Sequence, residues 1–420
     1  MDEQTRRALV HAFRNEWASV FAATVRLTRD IDLAEEIVQD AFAEALTTWV
    51  RDGVPKNPGA WLTTTAKRRA IDSIRRTSNY RTRIQLLVES ESLGDDVDAP
   101  RRTGDGLVHA VADDTMRLIF MCCHPSLSIE AKMALTLRLV CGMTTKDIAR
   151  CFLVSEPTMA ARLTRAKRKI AVARIPFRVP SALDLPGRVD AVLGVIYLLY
   201  TIGHTAPSGE TLIREETVGE ALRLARLLHA LVPEEREVSG LLALLLVSDA
   251  RRASRVGEDG RAKQISDQDR STWNQEMVRE ARDLIDNNFR NNSTGRYTLQ
   301  AAIAAQHTVA PTYEEVDWHE IVRLYDELIG LWSSPIVQLN RAVAVSKTSG
   351  PQVALAIIEG LESDGRLDRY QYLPAIKAYL LDQLGRDNEA EQARTRAFEL
   401  ASNEVERDYL ASQLHSAQPR

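Results

Sequence analysis

Residues 143–170, MTTKDIARCFLVSEPTMAARLTRAKRKI, predict two short helices joined by a tight turn. Thr144 and Ser155 are suitable N-caps for the two helices, and Pro157 is tolerated because it falls in the first turn of the second. Apolar residues in the second helix recur at the spacing of a single core-facing stripe: Met159, Leu163, Ala166 and Ile170. Basic residues occupy another face: Arg162, Arg165, Lys167, Arg168 and Lys169. This combination is typical of a DNA-binding helix-turn-helix.

The second helix of such a unit contacts base edges with its first residues and phosphates with cations further along. The candidate DNA-binding residues are therefore Ser155, Glu156, Thr158, Met159, Arg162, Arg165, Arg168 and Lys169. A solvent-exposed basic helix within a bundle is the alternative interpretation. Leu153 stands in the turn, where these units often carry glycine.

Charge is distributed unevenly along the 420 residues. The net charge is −4, made up of +6 over residues 1–180 and −10 over residues 181–420. Residues 60–83 carry seven bases and one acid, and residues 130–178 carry eleven and three. Residues 86–111 between them are acidic and rich in Gly, Ser and Asp, which predicts a flexible linker. Two basic patches joined in this way suit a protein that contacts DNA at two places.

Composition is ordinary for a globular protein, with 45% hydrophobic and 27% charged residues. The N-terminus lacks the apolar run of a signal peptide, and no segment approaches the ~20 apolar residues of a membrane span, so a cytoplasmic location is expected. Four cysteines do not form a disulfide framework. Cys122 and Cys123 are adjacent and lack a partner pair, so we predict buried cysteines and neither a metal nor a cofactor.

The helical spacing of apolar residues predicts an all-α fold, with helices at 3–28, 32–50, 59–76, 112–122, 129–141, 145–152 and 156–173 and further helices from about residue 189 onward. A Gly-rich phosphate loop, an HExxH motif and a GxSxG motif are all missing, and no enzyme is predicted.

The predicted helices 32–50 and 59–76 carry opposite charge. The first has a core face of Ile37, Val38, Ala41, Phe42, Ala45, Leu46 and Trp49, and an exposed acidic face of Asp32, Glu35, Glu36, Asp40 and Glu44. The second points Trp61, Leu62, Ala66, Ala70, Ile71 and Ile74 inward and Lys67, Arg68, Arg75 and Arg76 outward. Carboxylates repel DNA phosphates, so the acidic face is predicted to bind a basic protein surface, with simple solvation as the alternative.

These motifs together resemble a bacterial sigma factor of the extracytoplasmic-function type, in the sigma-70 family. The segments DLAEEIVQDAF (32–42), AWLTTTAKRRAIDSIRR (60–76) and TTKDIARCFLVSEPTMAARLTRAKRKI (144–170) follow the order of that family's region 2 and region 4, over roughly residues 5–173. Segments AVLGVIYLLY (191–200) and SPIVQLNRAVAV (334–345) are similar to a subgroup with a long C-terminal helical extension.

The resemblance implies core RNA polymerase and promoter DNA, both double-stranded and melted, as partners, and no membrane. By analogy, the polymerase clamp would be bound by Asp32, Glu35, Glu36, Gln39 and Asp40. The −10 element would be read and opened by Asn57, Trp61, Lys67, Arg68, Arg75 and Arg76, with a flipped base held by the 51–60 loop. The −35 element would be read in the major groove by helix 155–170.

The implied domains are region 2 at 1–85, the acidic linker at 86–111, region 4 at 112–175, a helical extension at 176–290 and tetratricopeptide-like repeats at 291–420. The clearest repeat, residues 372–401, has Gly385 at its turn and small Ala390 and Ala397 where paired helices pack. A weaker copy at 334–361 has Gly350 in its turn and Ala342, Ala344, Ala354 and Ala356 as small residues. Such repeats commonly bind a protein or peptide, and a purely structural appendage is the alternative.

Asp249, Arg251, Arg252, Asp267, Asp269 and Arg270 are candidates for interdomain ion pairs, or for a ligand site. Two rival functions remain at this stage. One is a ligand-sensing helix-turn-helix regulator that acts without polymerase, and the other is an enzyme with its active site in the tail. The acidic helix favours the sigma factor, because neither rival needs it.

Overall fold

The computed structural model describes residues 3–88, 114–152, 154–181, 184–206, 209–257, 259–291 and 294–416. The described residues form helices, with two isolated β-bridges and no extended strand, so the predicted all-α fold is confirmed. The chain divides into two compact units, Met1–Val195 and Ile196–Arg420. Most of the predicted linker (residues 86–111) lies outside the described residues, and the predicted domain boundaries remain predictions.

Within the described ranges, unit 1 contains seven helices and one π-helical turn. They are α1 (Glu3–Thr28), α2 (Ile31–Asp52), α3 (Pro58–Val88), α4 (114–122), α5 (Ile129–Leu135) with a π-helix at Thr136–Val140, α6 (Thr145–Cys151) and α7 (Glu156–Val172). A further helix, α8 (Leu185–His204), continues from unit 1 into unit 2.

Helices α1, α2 and α3 pack on one another around an aromatic core. Trp17 stacks on Phe21 with ring centroids 5.9 Å apart, and Phe13 and Phe42 meet edge-to-face at 5.2 Å. Aromatic pairs of this geometry add about 0.5–1.5 kcal/mol beyond the area they bury. The Asp30 side chain accepts hydrogen bonds from the backbone N–H groups of Asp32 and Leu33 and so caps α2. The two predicted helices of this region therefore share one core with α1.

Two predicted core residues of this bundle are exposed. Leu46 is 48% exposed, since it lies about 100° round the helix from the buried Ala45 and outside the packed face. Ile74 is 40% exposed. The side chains of Asp72 to Arg76 are partly or fully exposed. The helix itself runs on to Val88, twelve residues beyond its predicted end.

The helix-turn-helix is confirmed in its caps and its core. Thr144 accepts a hydrogen bond from the backbone N–H of Asp147 (3.1 Å), and Ser155 accepts one from Thr158 (3.3 Å). The predicted stripe of α7 is buried: Met159, Leu163, Ala166 and Ile170. Helix α7 packs on α5 and α6.

Cys122 and Cys123 are fully buried, as predicted. Burial raises the pKa of Cys123 to about 11 and that of Cys122 further above its usual range, so both thiols are protonated near neutral pH. Among the described residues, no group of three or more His, Cys, Asp or Glu side chains is placed to hold a metal ion.

Unit 2 continues from α8 as a succession of packed helices. They are α9 (Glu215–Leu231), α10 (Arg236–Asp249), α11 (Gln275–Arg290), α12 (Arg296–Val309), α13 (Trp318–Leu331), α14 (Pro335–Ser349), α15 (Pro351–Asp364), α16 (Tyr372–Gln383), α17 (Asp387–Leu400) and α18 (Glu404–Ser416). Three short 3-10 turns, Arg252–Ser254, Ile265–Asp267 and Arg270–Thr272, lie between α10 and α11. Neighbouring helices pack along the chain, α13 with α14, α14 with α15 and α16 with α17, as in helical repeats.

The predicted repeat at 372–401 is a pair of packed helices, α16 and α17. Gly385 has a φ of 67° at its turn, and Ala390 and Ala397 are fully buried. In the weaker copy Gly350 has a φ of 88°. Ala342, Ala344 and Ala354 are buried there, whereas Ala356 is exposed and takes no part in helix packing.

In the part of the chain that the structure describes, no helix is both long enough and apolar enough to cross a membrane.

Candidate polymerase-binding and DNA-binding surfaces

The acidic face of α2, defined as Asp32, Glu35, Glu36, Gln39 and Asp40, is partly covered. Four of the five are exposed, but Glu35 is only 8% exposed. The prediction that Glu35 is an exposed residue of this face is therefore wrong. Its carboxylate is buried because basic side chains from the region of residues 129–172 pack over it.

Two cations meet at Glu35. Arg138 of the π-helix donates a hydrogen bond to Glu35 Oε1, and Lys167 of α7 donates to Glu35 Oε2 at 2.6 Å. Lys167 also donates to Asp32 Oδ1 at 2.8 Å, and its side chain is 16% exposed. Burial by itself lowers the pKa of Lys167, but hydrogen bonds and attraction to the two carboxylates outweigh burial and leave that pKa raised. Lys167 is therefore charged near neutral pH and held on α2.

The far end of the acidic face is linked to α3. Arg69 donates to Asp40 Oδ2 and to Glu44 Oε2, each at 2.9 Å, with all three side chains partly exposed. Ion pairs exposed to this extent contribute about 0–1 kcal/mol and rearrange readily. Asp32 and Asp40 are thus exposed but already paired, whereas Glu36 is exposed and has no ion-pair partner within the described residues.

The predicted −10 surface lies at the start and along one side of α3. Asn57 is exposed and its side chain accepts a hydrogen bond from the backbone N–H of Ala60 at 3.0 Å, which caps the helix. Trp61 is half-buried and meets Trp49 edge-to-face at 5.6 Å. The four predicted cations are exposed and form no ion pair with any other described residue: Lys67, Arg68, Arg75 and Arg76.

The predicted −35 surface lies on α7. Ser155, Glu156 and Thr158 are exposed at its N-terminus, where Ser155 Oγ and Thr158 Oγ1 share a hydrogen bond of 2.8 Å. The cations further along that are fully exposed are Arg165, Arg168 and Lys169. Arg162 is half-buried, with its guanidinium over the Phe152 ring at 5.6 Å.

Met159 does not belong to this surface. Its side chain is 0% exposed and begins the core stripe of α7, so the prediction that it contacts a base is wrong. A helical side chain points to one face only, and the apolar spacing assigns Met159 to the core.

Arg69, Arg138 and Lys167 were not predicted as partners of the acidic face. Lys167 and Glu35 are 132 residues apart in sequence, and Arg138 and Glu35 are 103 apart. No local spacing connects residues so distant. The sequence indicates such a contact only indirectly, by placing an acidic helix and a basic helix in the same chain.

Three family models match this chain. The family model "Sigma-70 region 2" matches residues 12–80, "Sigma-70, region 4" matches residues 117–170, and "Family of unknown function (DUF6596)" matches residues 188–289. The Uncharacterized protein R00370 of Rhizobium meliloti (strain 1021) is 43% identical over 393 residues, covering 93% of this chain and 92% of that protein.

A second relative is the Probable ECF RNA polymerase sigma factor SigI of Mycobacterium tuberculosis (strain ATCC 25618 / H37Rv). It is 28% identical over 171 residues, which is 41% of this chain and 57% of that protein. No solved structure matches. The chain belongs to the family of the Rhizobium protein and, by its regions 2 and 4, to the sigma-70 family, as a sigma factor of the extracytoplasmic-function type with a long C-terminal helical extension.

Proposed function

We propose that this sigma factor binds core RNA polymerase through the acidic face of α2 and directs initiation at specific promoters through two DNA surfaces. Helix α3 and the 51–60 loop read and open the −10 element, and α7 reads the −35 element. The chain does so as a binding protein, without an active site of its own.

The observation that carries the proposal is that some cations of unit 1 are paired with carboxylates and others are not. Those beside the acidic face, Arg69, Arg138 and Lys167, are paired to carboxylates. The predicted phosphate-binding cations of α3 and the exposed cations of α7 form no ion pair with any described residue. An unpaired surface cation binds a phosphate without giving up an internal partner, and the counterions released from DNA favour the complex.

Run-off transcription tests this proposal. Purified core polymerase is incubated with DNA upstream of the gene for this protein, with and without the full chain. We expect a discrete new transcript that is lost in the double variant Arg165→Ala, Arg168→Ala. Arg279→Ala is the control, because Arg279 is an exposed arginine of α11 in unit 2 that forms no ion pair in the part of the chain that the structure describes.

A different result would redirect the assignment. If no template yields a transcript while the protein alone binds a palindromic site tightly, the chain is a regulator that acts without polymerase.

We further propose that the C-terminal helices regulate the sigma factor or bind a protein partner. Support comes from the packed helix pairs of unit 2, since stacked pairs of this type present extended surfaces for peptides and proteins. The full chain is compared with a chain ending at residue 195, the end of unit 1, in the same transcription assay. Equal transcription by two folded proteins would contradict a regulatory role.

A further inference from the structure

The acidic face of α2 already has an occupant in unit 1. Arg138 and Lys167 are paired with Asp32 and Glu35 of this face, and α1 beside it adds a buried hydrogen bond and close packing against residues 139–142. We propose, resting on the function proposed above, that this face is an exchange surface: in the free protein it binds Arg138 and Lys167 of region 4, and a basic surface of polymerase replaces them on assembly.

The ionic part of the contact is balanced in charge. Two carboxylates, Asp32 and Glu35, face two cations, Arg138 and Lys167, and Glu35 bonds to both cations. Glu35 and Lys167 are both largely shielded from solvent in the closed arrangement, so truncating one side chain leaves the other charge poorly solvated. Once the interface opens, Asp32 and Glu35 present two adjacent carboxylates, and the complementary partner is a protein surface that carries guanidinium or ammonium groups.

The apolar part of the contact centres on Trp17 of α1. Its indole Nε1 donates a buried hydrogen bond of 3.1 Å to the backbone carbonyl of Leu139. Gly142 approaches the same ring so closely that a Cβ atom on it would lie 3.0 Å from two ring carbons. A further ion pair joins Arg26 of α1 to the buried Asp114 of α4 at 3.3 Å. The contact is thus a packed interface, in which the Lys167 pair is one part.

The closed arrangement buries Glu35, pairs Asp32 with Lys167 and leaves Arg165, Arg168 and Lys169 of α7 exposed. Lys167 lies about 200° round the helix from Arg165, so one face of α7 holds α2 while the other remains accessible. If only the open molecules bind polymerase, the apparent affinity for polymerase equals the affinity of the open form multiplied by the fraction of molecules that are open. Closure does not by itself prevent the exposed cations of α7 from binding DNA phosphates.

Two variants of the full chain open the interface by different means. Lys167→Glu places a third carboxylate beside Asp32 and Glu35. Gly142→Ala leaves every charge unchanged and puts a methyl group against the Trp17 ring, at a residue whose φ of 68° also disfavours a side chain. The matched control is Lys146→Glu, the same charge change at an exposed lysine of α6 with no ion pair in the described chain.

Two measurements are made on each protein: hydrogen exchange of the peptides covering residues 31–40 and 136–143, and the dissociation constant for purified core polymerase. We expect faster exchange at both peptides in the two variants and tighter binding by about tenfold, the gain if one free molecule in ten is open in the unmodified protein. Lys146→Glu should match the unmodified protein in both measurements.

Three outcomes overturn the inference. Unchanged exchange in both variants means that the interface is not formed in the free protein. Faster exchange with unchanged polymerase affinity means that the interface does not compete with polymerase. Failure of every protein to bind core polymerase refutes the proposed function and the competition with it, while the exchange data still report separately whether region 4 contacts α2.

Discussion

Unit 2 should lose stability as the pH falls below about 6.5, and His307 should account for a defined part of that loss. His307 lies in α12 with Nδ1 buried and without a hydrogen-bond partner in the described chain. Burial, and then repulsion from Arg251 and Arg270, lower the pKa of His307 to about 4. The folded protein therefore keeps this imidazole neutral under conditions where the unfolded chain protonates it.

The sign and size of the effect follow from linkage. The folded pKa is below the unfolded value of about 6.5, so the contribution to stability is complete above pH 6.5 and declines as the pH falls towards 4. Over that window one protonation costs about 1.4 kcal/mol per pH unit. Between pH 7 and pH 5, His307 alone should lower the free energy of unfolding by about 2 kcal/mol.

The assay is urea denaturation of the full chain at pH 7 and pH 5, followed by circular dichroism, comparing the unmodified protein with His307→Gln. The variant should lose about 2 kcal/mol less between the two pH values, whatever its stability at pH 7. His319→Gln is the matched control, because His319 is exposed on α13 of the same unit and its imidazole is solvated in both states. If His307→Gln and His319→Gln show the same pH dependence, the imidazole of His307 is not held neutral by the fold and the reasoning is refuted.

Other expectations concern both units. Arg165→Ala and Arg168→Ala should each weaken promoter binding in a sequence-independent manner and reduce the slope of log affinity against log salt by about one, measured by fluorescence anisotropy at several salt concentrations. Met159→Ala should instead destabilise the helix-turn-helix by about 2–5 kcal/mol in thermal unfolding, because the smaller side chain leaves a cavity in the core. A selective loss of base discrimination with unchanged stability would contradict the burial of Met159. Gly385→Ala should lower the free energy of unfolding by about 1–2 kcal/mol, since φ is 67° there. Gly360→Ala inside α15 should raise it by about 0.5–1 kcal/mol, because a Cβ there meets nothing within 4 Å. Equal effects of the two variants in urea denaturation would count against a turn requirement at residue 385.

The interdomain ion pairs predicted for the tail are not seen among the described residues, where the pair formed by these side chains is local. Asp249 accepts a hydrogen bond from Arg252 at 2.9 Å, and Arg270 donates to the carbonyl of Ala310 at 2.7 Å and so holds the end of α12. Arg251 makes no ion pair with a described residue and lies with its guanidinium 5.9 Å from the centre of the Trp273 ring. The adjacent residues Arg251 and Arg252 therefore have different neighbours, the Trp273 ring and the Asp249 carboxylate.

The sequence by itself determined the all-α fold, the two caps and the core stripe of the helix-turn-helix, and the order of the two DNA-binding motifs. Thr144, Ser155 and the stripe from Met159 to Ile170 act through neighbours three or four residues away, and such interactions form in the same way wherever the segment is placed in the fold.

Only the tertiary structure decided which charges are free. Glu35 belongs to an acidic face by its spacing, yet it is buried because Arg138 and Lys167 reach it from more than 100 residues away. The pKa of His307 is lowered for the same kind of reason, first by burial and then by the charges of Arg251 and Arg270 from another segment. The burial and pKa of an ionisable group depend on everything packed around it, and those neighbours come from distant parts of the chain.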